Sequence, residues 1–418
     1  MILNNIKSTY LILFLWLNFQ LISCAQQPQK IMESSKGKEK VLKMGAERVE
    51  LYLNELKGKN IAVVANQTSV LQFFNNDVEV KKGRVGDLNS YHLVDYLYAN
   101  KDITLKKVFA PEHGFRGKAD AGEKVLDGID TKTGISIVSL YGKNKKPSQE
   151  QLRGIDLVVF DIQDVGARFY TYISSLHYVM EACAESNIPV ILLDRPNPNG
   201  HYIDGPLLEM EHKSFIGMHP IPVVYGMTIG EYGYMINGEK WLKDGLQCDY
   251  KVVPLKNYKR NRSYNLPIKP SPNLPNVAAV NLYPSLCFFE GTNVSVGRGT
   301  ENQFQVYGSP NLEKTNFRFV PIPNEGSKYP KHENKVCFGE DLRNQEYLSQ
   351  LNLSWLIKAY KNTADKNKFF TSFFTTLAGT KKLQKQIELG ITEEAIKKSW
   401  KDDLDAFKIK RAKYLIYN

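Results

Sequence analysis

The sequence predicts an α/β fold built on an open parallel sheet with helices on both faces, and three features of the chain predict it. Short apolar runs alternate with helical stretches through the middle of the chain. Each run ends in a cluster of polar residues, as buried parallel strands do at their carboxyl ends. A proline-rich stretch, Ile268 to Pro275 (IKPSPNLP), then breaks the pattern and marks a boundary.

The elements follow in order. Asn60 to Thr68 (NIAVVANQT) reads as a strand over 60–65 with a polar end. His92 to Ala99 reads as a helix, and Ile103 to Ala110 as the next strand. Ile135 to Leu140 and Leu157 to Ile162 are two more strands. In Tyr172 to Ser186, Ile173, Leu176, Met180 and Cys183 fall on one helical face, which is a core stripe. Ile188 to Leu193 (IPVILL) closes the alternation as a buried strand. Beyond the boundary, residues 320–340 read as a long surface loop. Ile391 to Trp400 reads as a helix with Thr392 as its N-cap, acids behind it and lysines at its end. Phe407 to Tyr417 is expected to dock on the second domain. The organisation expected is residues 45–267 as a Rossmann-like domain and 268–418 as a C-terminal domain.

In an open parallel sheet, ligands gather just past the carboxyl ends of the strands. Four ends here bring polar groups to one rim: Asn66-Gln67-Thr68; Glu112-His113 through Arg116; Asp161 through Asp164, Arg168 and Tyr170; and Asp194-Arg195-Pro196-Asn197. One such end would be turn chemistry or helix capping, but four together favour a polar-ligand site. A dinucleotide site is excluded, because ANQTSV after the first strand has no GxGxxG through which backbone could approach a pyrophosphate. There is no GxxxxGK[ST], no HExxH and no GxSxG, so P-loop, zincin and serine-hydrolase readings also fail. No cofactor and no metal are expected.

Composition bounds the rest. With 418 residues, 42% of them hydrophobic, the chain can build sizeable cores and is neither disordered nor a multi-span membrane protein. The net charge of +11 suits an anionic partner, but lysine and arginine are spread along the chain, which disfavours nucleic acid. Met1 to Ile22 carries Lys7 and an apolar run from Leu11, too short for a membrane span and of signal-peptide length. It ends in Leu21-Ile22-Ser23-Cys24, which resembles a bacterial lipobox. Residues 1–23 are therefore expected to be a signal peptide, with Cys24 as the lipidation site and 24–44 as a lipidated tether. That makes the protein an exported, membrane-anchored lipoprotein on the periplasmic face. Cys183, Cys248, Cys287 and Cys337 are widely spaced in apolar contexts and read as buried free thiols.

The second half contains Phe289-Glu290-Gly291-Thr292-Asn293 and, after Val294-Ser295-Val296, Gly297-Arg298-Gly299-Thr300. Its glycines permit close backbone approach, while Glu290, Asn293, Arg298 and Thr300 can bond hydroxyls or a carboxylate.

Four stretches, PEHGFRGKADAGE (111–123), FDIQDVGARFYTYI (160–173), DRPNP (194–198) and FEGTNVSVGRGT (289–300), together resemble the exo-β-N-acetylmuramidase family of peptidoglycan hydrolases. The resemblance runs over roughly residues 44 to 417. It implies a Rossmann-like N-terminal domain, a smaller mixed α/β C-terminal domain and an active-site cleft between them. It also implies release of terminal N-acetylmuramic acid from the non-reducing end of muramyl-glucosaminyl sugars.

Glycoside cleavage needs a proton donor and a second group that stabilises an oxocarbenium-like state. Glu112, where a strand end meets a Pro/Gly turn, is the acid that the resemblance singles out. Asp164, Glu123 and Glu290 are candidates for the second role. Muramic acid differs from glucosamine by a lactyl ether with a carboxylate, which an arginine fork matches, so Arg116, Arg168 and Arg298 are candidate readers. Asn66, His113, Tyr170, Asn197 and Asn293 are candidate hydroxyl and amide contacts. The partners expected are peptidoglycan-derived saccharides and, through the anchor, a membrane. The competing reading is a lipid-anchored saccharide-binding protein without turnover, and a second rival is a nucleotide-dependent enzyme with an unrecognised loop.

Overall fold

The computed structural model describes residues 41–73, 89–116 and 127–417, and Cys24 and Glu123 lie outside them. Among the described residues the strands are β1 (Asn60–Ala65), β2 (Val70–Phe73), β3 (Asn89–His92), β4 (Thr104–Ala110), β5 (Gly128–Ile129) and β6 (Ser136–Ser139). They continue as β7 (Leu157–Asp161), β8 (Val190–Leu193), β9 (Tyr250–Val253), β10 (Val306–Ser309), β11 (Arg318–Phe319) and β12 (Cys337–Asp341). Seven of them form one sheet in the order β5-β6-β4-β1-β7-β8-β9. All its pairings are parallel except that of β5 with β6. The α/β sheet read from the sequence is thus present, and each strand read in the first half lies within its expected range. In the second half β10, β12 and β11 make a small antiparallel sheet.

The sheet is buried on both faces, which is why its strands read as unbroken apolar runs. Successive side chains of β1 go to opposite faces. Ala62 and Val64 join one apolar cluster with Leu282, Leu286, Phe288 and Trp400, whereas Ile61, Val63 and Ala65 join another with Leu93, Leu97 and Val108. The first cluster therefore runs from the sheet into the second half of the chain. Thr392 caps the helix Glu393–Lys398 by accepting from the backbone of Ala395. Cys183, Cys248, Cys287 and Cys337 are buried free thiols. No helix among the described residues is long and apolar enough to cross a membrane.

Two expectations need correction. The C-terminal segment docks back on the sheet domain. The Tyr417 hydroxyl donates to Asp194 Oδ2 at 2.7 Å, Arg411 Nη1 donates to Gly226 O at 2.5 Å, and Tyr414 donates to Glu239 at 2.8 Å. The reason is that Asp194, just past β8, and Glu231, in the helix Ile229–Gly238, are fully buried, and buried carboxyl groups need donors: Tyr417 supplies Asp194, and the N–H groups of Ile416 and Tyr417 supply Glu231 at 2.8 and 3.2 Å. Part of 320–340 is also ordered structure, since β12 begins at Cys337 and pairs with both β10 and β11.

Candidate active site

The parallel strands β1, β4, β7 and β8 end on one edge of the sheet, and the chain beyond them is tied together from beneath. Asn66, after β1, is fully buried; its Nδ2 donates to the Tyr172 hydroxyl at 2.8 Å and its Oδ1 accepts from Thr68 N at 2.9 Å. Thr68 Oγ1 in turn accepts from Gln163 N at 3.0 Å, after β7. Arg195 clamps Asp161 with Nε at 2.6 Å and Nη2 at 2.9 Å, a bidentate pair joining the ends of β7 and β8.

On this base stands the turn after β4. Gly114 N donates to Pro111 O at 3.0 Å, and His113, with φ 70°, takes the left-handed conformation at the turn's third position. A side chain there costs on the order of 1 kcal/mol, and such strain concentrates at functional sites. The turn puts Glu112 and the buried His113 ring on the wall of a cavity of about 250 Å³. Thr171 Oγ1 donates to Glu112 Oε2 at 2.7 Å, and the Tyr172 hydroxyl reaches Glu112 O at 3.5 Å.

Thr171 escaped the sequence reading. It is the N-cap of the helix Tyr172–Glu185, where a threonine hydroxyl ordinarily bonds the helix backbone, yet it makes no cap bond. Its hydroxyl is committed to the neighbouring Glu112 carboxyl on the cavity wall instead.

More of the cavity wall comes from the second half. The proline-rich segment passes over the rim, where Tyr170 donates to Pro270 O at 2.8 Å, and it places Ser271 and Asn273 on the wall. After the helix Val277–Leu286, the 3₁₀ turn Cys287–Gly291 presents Glu290. Arg298 Nε donates to Glu290 Oε1 at 2.6 Å, and its guanidinium carbon lies 5.3 Å from the Phe304 ring centre. Burial alone would draw the Arg298 pKa down, but the charge and hydrogen bond of Glu290 more than offset this and hold it above the usual arginine range. Aromatic rings, among them Phe169, Tyr170, Tyr283 and Phe304, complete the lining. The arrangement offers a turn-borne carboxyl, an ion-paired carboxylate and a guanidinium in an aromatic pocket of single-sugar scale.

Of the residues expected at the site, the structure thus brings together Glu112, His113, Tyr170, Glu290 and Arg298. Others are placed elsewhere, each for a definable reason. Arg168 is 1% exposed, and its Nη groups donate to the carbonyls of Pro206, Ile221, Leu377 and Ala378 at 2.7–3.0 Å. It is a buried brace, not a reader of ligand carboxylates. Arg116 turns away from the cavity onto Asp130 at 2.9 Å and Asp95 at 3.4 Å. Asp164 is buried off the cavity wall, accepting from Gly166 N at 2.7 Å and from the Tyr225 hydroxyl, and burial raises its pKa to about 6. Asn66 serves the network beneath the site. Asn197 donates to Met227 O at 2.7 Å and presses on Gly166, where any Cβ would collide with it. The backbone of Asn293, not its side chain, is engaged: its N–H donates to Phe369 O at 2.8 Å. Among the described residues, Glu209, Glu211 and His212 form a group of metal-ligating type. Glu209 is already paired with Lys382 at 2.7 Å, and none of the three lines the cavity.

Comparison with known proteins supports a specific assignment. Residues 61–278 match the family model described as exo-β-N-acetylmuramidase NamZ, N-terminal, and residues 281–417 match its C-terminal counterpart. The peptidoglycan β-N-acetylmuramidase NamZ of Bacillus subtilis (strain 168) is 38% identical over 387 residues, covering 88% of this chain and 89% of its own. A crystal structure of a DUF1343 family protein from Bacteroides fragilis NCTC 9343 superposes with a TM-score of 0.81 at 44% identity, covering 91% of this chain and 99% of that one. A second DUF1343 protein from the same organism gives 0.71 at 28% identity, covering 90% and 99%. With two consecutive family models spanning the sheet, the cavity and the C-terminal segment, this chain belongs to the NamZ family of exo-β-N-acetylmuramidases, which are glycoside hydrolases.

Proposed function

We propose that this protein releases terminal N-acetylmuramic acid from the non-reducing end of peptidoglycan fragments of the muramyl-glucosaminyl type, with Glu112 as general acid. The observation that carries this reading is the cavity itself: a carboxyl oriented by Thr171 and the Glu290–Arg298 pair line one cavity of about 250 Å³. A pocket of that size suits an enzyme that takes one terminal sugar rather than a long glycan.

In the reaction, Glu112 transfers its proton to the glycosidic oxygen as the C1–O bond breaks; the hydroxyl of a water molecule ends on C1, and that water's other proton restores the acid, directly or through solvent. The Thr171 bond to Oε2 restrains the carboxyl's rotation and so keeps the proton aimed. Glu290 is the charge opposite the developing oxocarbenium ion, acting directly or by orienting the substrate's own acetamido group. Arg298 alone among the three candidate arginines lines the cavity, and it would receive the lactyl carboxylate.

Incubation with the muramyl-glucosaminyl disaccharide tests the reading. Free muramic acid should appear; tight binding of intact disaccharide would instead identify the saccharide-binding rival. Replacing Arg298 by alanine should weaken turnover of the muramic substrate on the order of 10- to 100-fold, the worth of a charged hydrogen bond. The glucosamine analogue should lose much less. Equal losses on both sugars would remove the assignment of Arg298 as the lactyl reader.

The N-terminal segment, outside the described residues, adds a location to this reading. We propose export and lipid attachment at Cys24, supported by the LISC run that closes a short apolar segment. Mass spectrometry of the native N-terminus should find acylated Cys24, and an unmodified residue there would defeat the proposal.

A further inference from the structure

The segment between β11 and β12 is polar and irregular, yet one of its lysines points inward. Lys331 Nζ donates to Phe289 O and Val294 O, both at 3.2 Å, and to Thr292 O, with Glu290 O at 3.5 Å. Next to it, His332 takes a left-handed backbone, φ 62°, and donates from Nε2 to Asn293 O at 2.6 Å. Five carbonyls of the short stretch 289–294 thus converge on two adjacent side chains that lie 37 to 42 residues further along the chain.

Such convergence has a physical requirement. Carbonyl dipoles turned toward one point repel each other unless positive charge sits among them, as in sites where backbone oxygens replace a cation's hydration shell. The 3₁₀ turn Cys287–Gly291 ends inside this ring: Phe289 O accepts from Thr292 N at 2.9 Å as well as from the ammonium, so the lysine adds positive charge to a turn end that its own backbone already closes. The turn also carries Glu290, which holds Arg298 at 2.6 Å. The same segment bonds this wall at two further points: Gly326 O accepts from Asn273 Nδ2 at 2.6 Å, and Ile322 N donates to Gly299 O, beside Arg298, at 2.8 Å.

We propose that Lys331 is a positioning residue: an ammonium set in a ring of backbone carbonyls that holds the Glu290–Arg298 pair in the cavity wall, with residues 322–332 as the strap joining that wall to Asn273. This deepens the reading of Arg298 as the carboxylate reader and rests on it. Burial draws the Lys331 pKa down to about 8; Glu290 opposes that shift and Arg298 adds to it. The group therefore remains largely charged at neutral pH.

The test uses the full chain with Lys331→Ala, assayed on the muramyl-glucosaminyl disaccharide. A displacement of the pair by about 1 Å should cost up to about 10²-fold in kcat/KM, with the larger part in KM. The control is Lys397→Ala, another half-buried lysine donating to a carbonyl, that of Leu351, away from the cavity. It should lower the melting temperature without raising KM. Methylammonium should restore activity to Lys331→Ala and not to Lys397→Ala. If the alanine chain fails to fold, Lys331→Met fills the volume without charge and should still show the raised KM. Wild-type KM in Lys331→Ala or Lys331→Met, or a fall in melting temperature with KM unchanged, would overturn the proposal. Should the wild-type protein release no muramic acid, the hydrolase reading falls. The carbonyl ring is then judged by whether methylammonium raises the melting temperature of Lys331→Ala alone; no rise would overturn it.

Discussion

Glu112→Gln should lower turnover of the muramyl-glucosaminyl disaccharide by a factor on the order of 10² to 10⁴, the usual worth of a positioned general acid. Glutamine keeps the length of the side chain and leaves an oxygen to accept from the Thr171 hydroxyl, so the turn and the Thr171 contact should survive. What it lacks is the transferable proton. An aryl muramide with a good leaving group needs less protonation, and its cleavage should suffer correspondingly less. The ratio of the two losses, read from kcat/KM on both substrates, is the decisive measurement. Near-normal turnover of the disaccharide would move the acid role to another carboxyl, with Glu290 first in line because it shares the cavity. Unfolding of the variant would point to a structural role for Glu112. An ion pair with Arg116 is not that role, since Arg116 is committed to Asp130 and Asp95.

Arg168→Met is expected to be the most damaging change to stability outside the apolar core. It strips donors from four carbonyls at once, those of Pro206, Ile221, Leu377 and Ala378, in a place that water does not reach. Ile221 O keeps a second donor, Leu208 N at 3.1 Å, so at most three acceptors go unpaired. Each costs about 1–3 kcal/mol, so a loss of roughly 3 kcal/mol or more follows. The neighbourhood has no slack to absorb it. Gly379, with φ 71°, ends the helix Phe373–Ala378 so close to the guanidinium that a Cβ there would lie 2.8 Å from Nη2. Leu377, whose carbonyl Arg168 holds, also lines the cavity, so a chain that survives the change should bind substrate poorly as well. Arg168→Lys keeps a donor but not the fork and should fall between the two. A melting temperature for Arg168→Met equal to that of the unaltered chain would refute the brace.

What the sequence by itself determined is the sheet and the rim. Runs such as IPVILL and, after Asn60, IAVVA are apolar at every position, which only burial on both faces accommodates, and the polar residues after them have to emerge on one edge because the strands are parallel. The PEHG turn also declared itself, since proline and glycine around a Glu-His pair do not fit inside a strand. What the tertiary structure alone decided is which rim residues face the cavity. Asn66, Asn197 and Arg168 carry the same kinds of donors and acceptors as residues that do line it. Their bonds to Tyr172, Met227 and the carbonyls around Pro206 exist only once distant segments close over them. Thr171 is the converse case, a helix cap by its position and a partner of Glu112 by its contact. Tyr417 reaches Asp194 across 223 residues of chain for the same reason. A buried polar group must find a partner, and the chain's local pattern states the need without naming who meets it. Composition and spacing report what each segment can bond; the closing of the core decides what each one does bond, because desolvation leaves only the pairings that geometry permits.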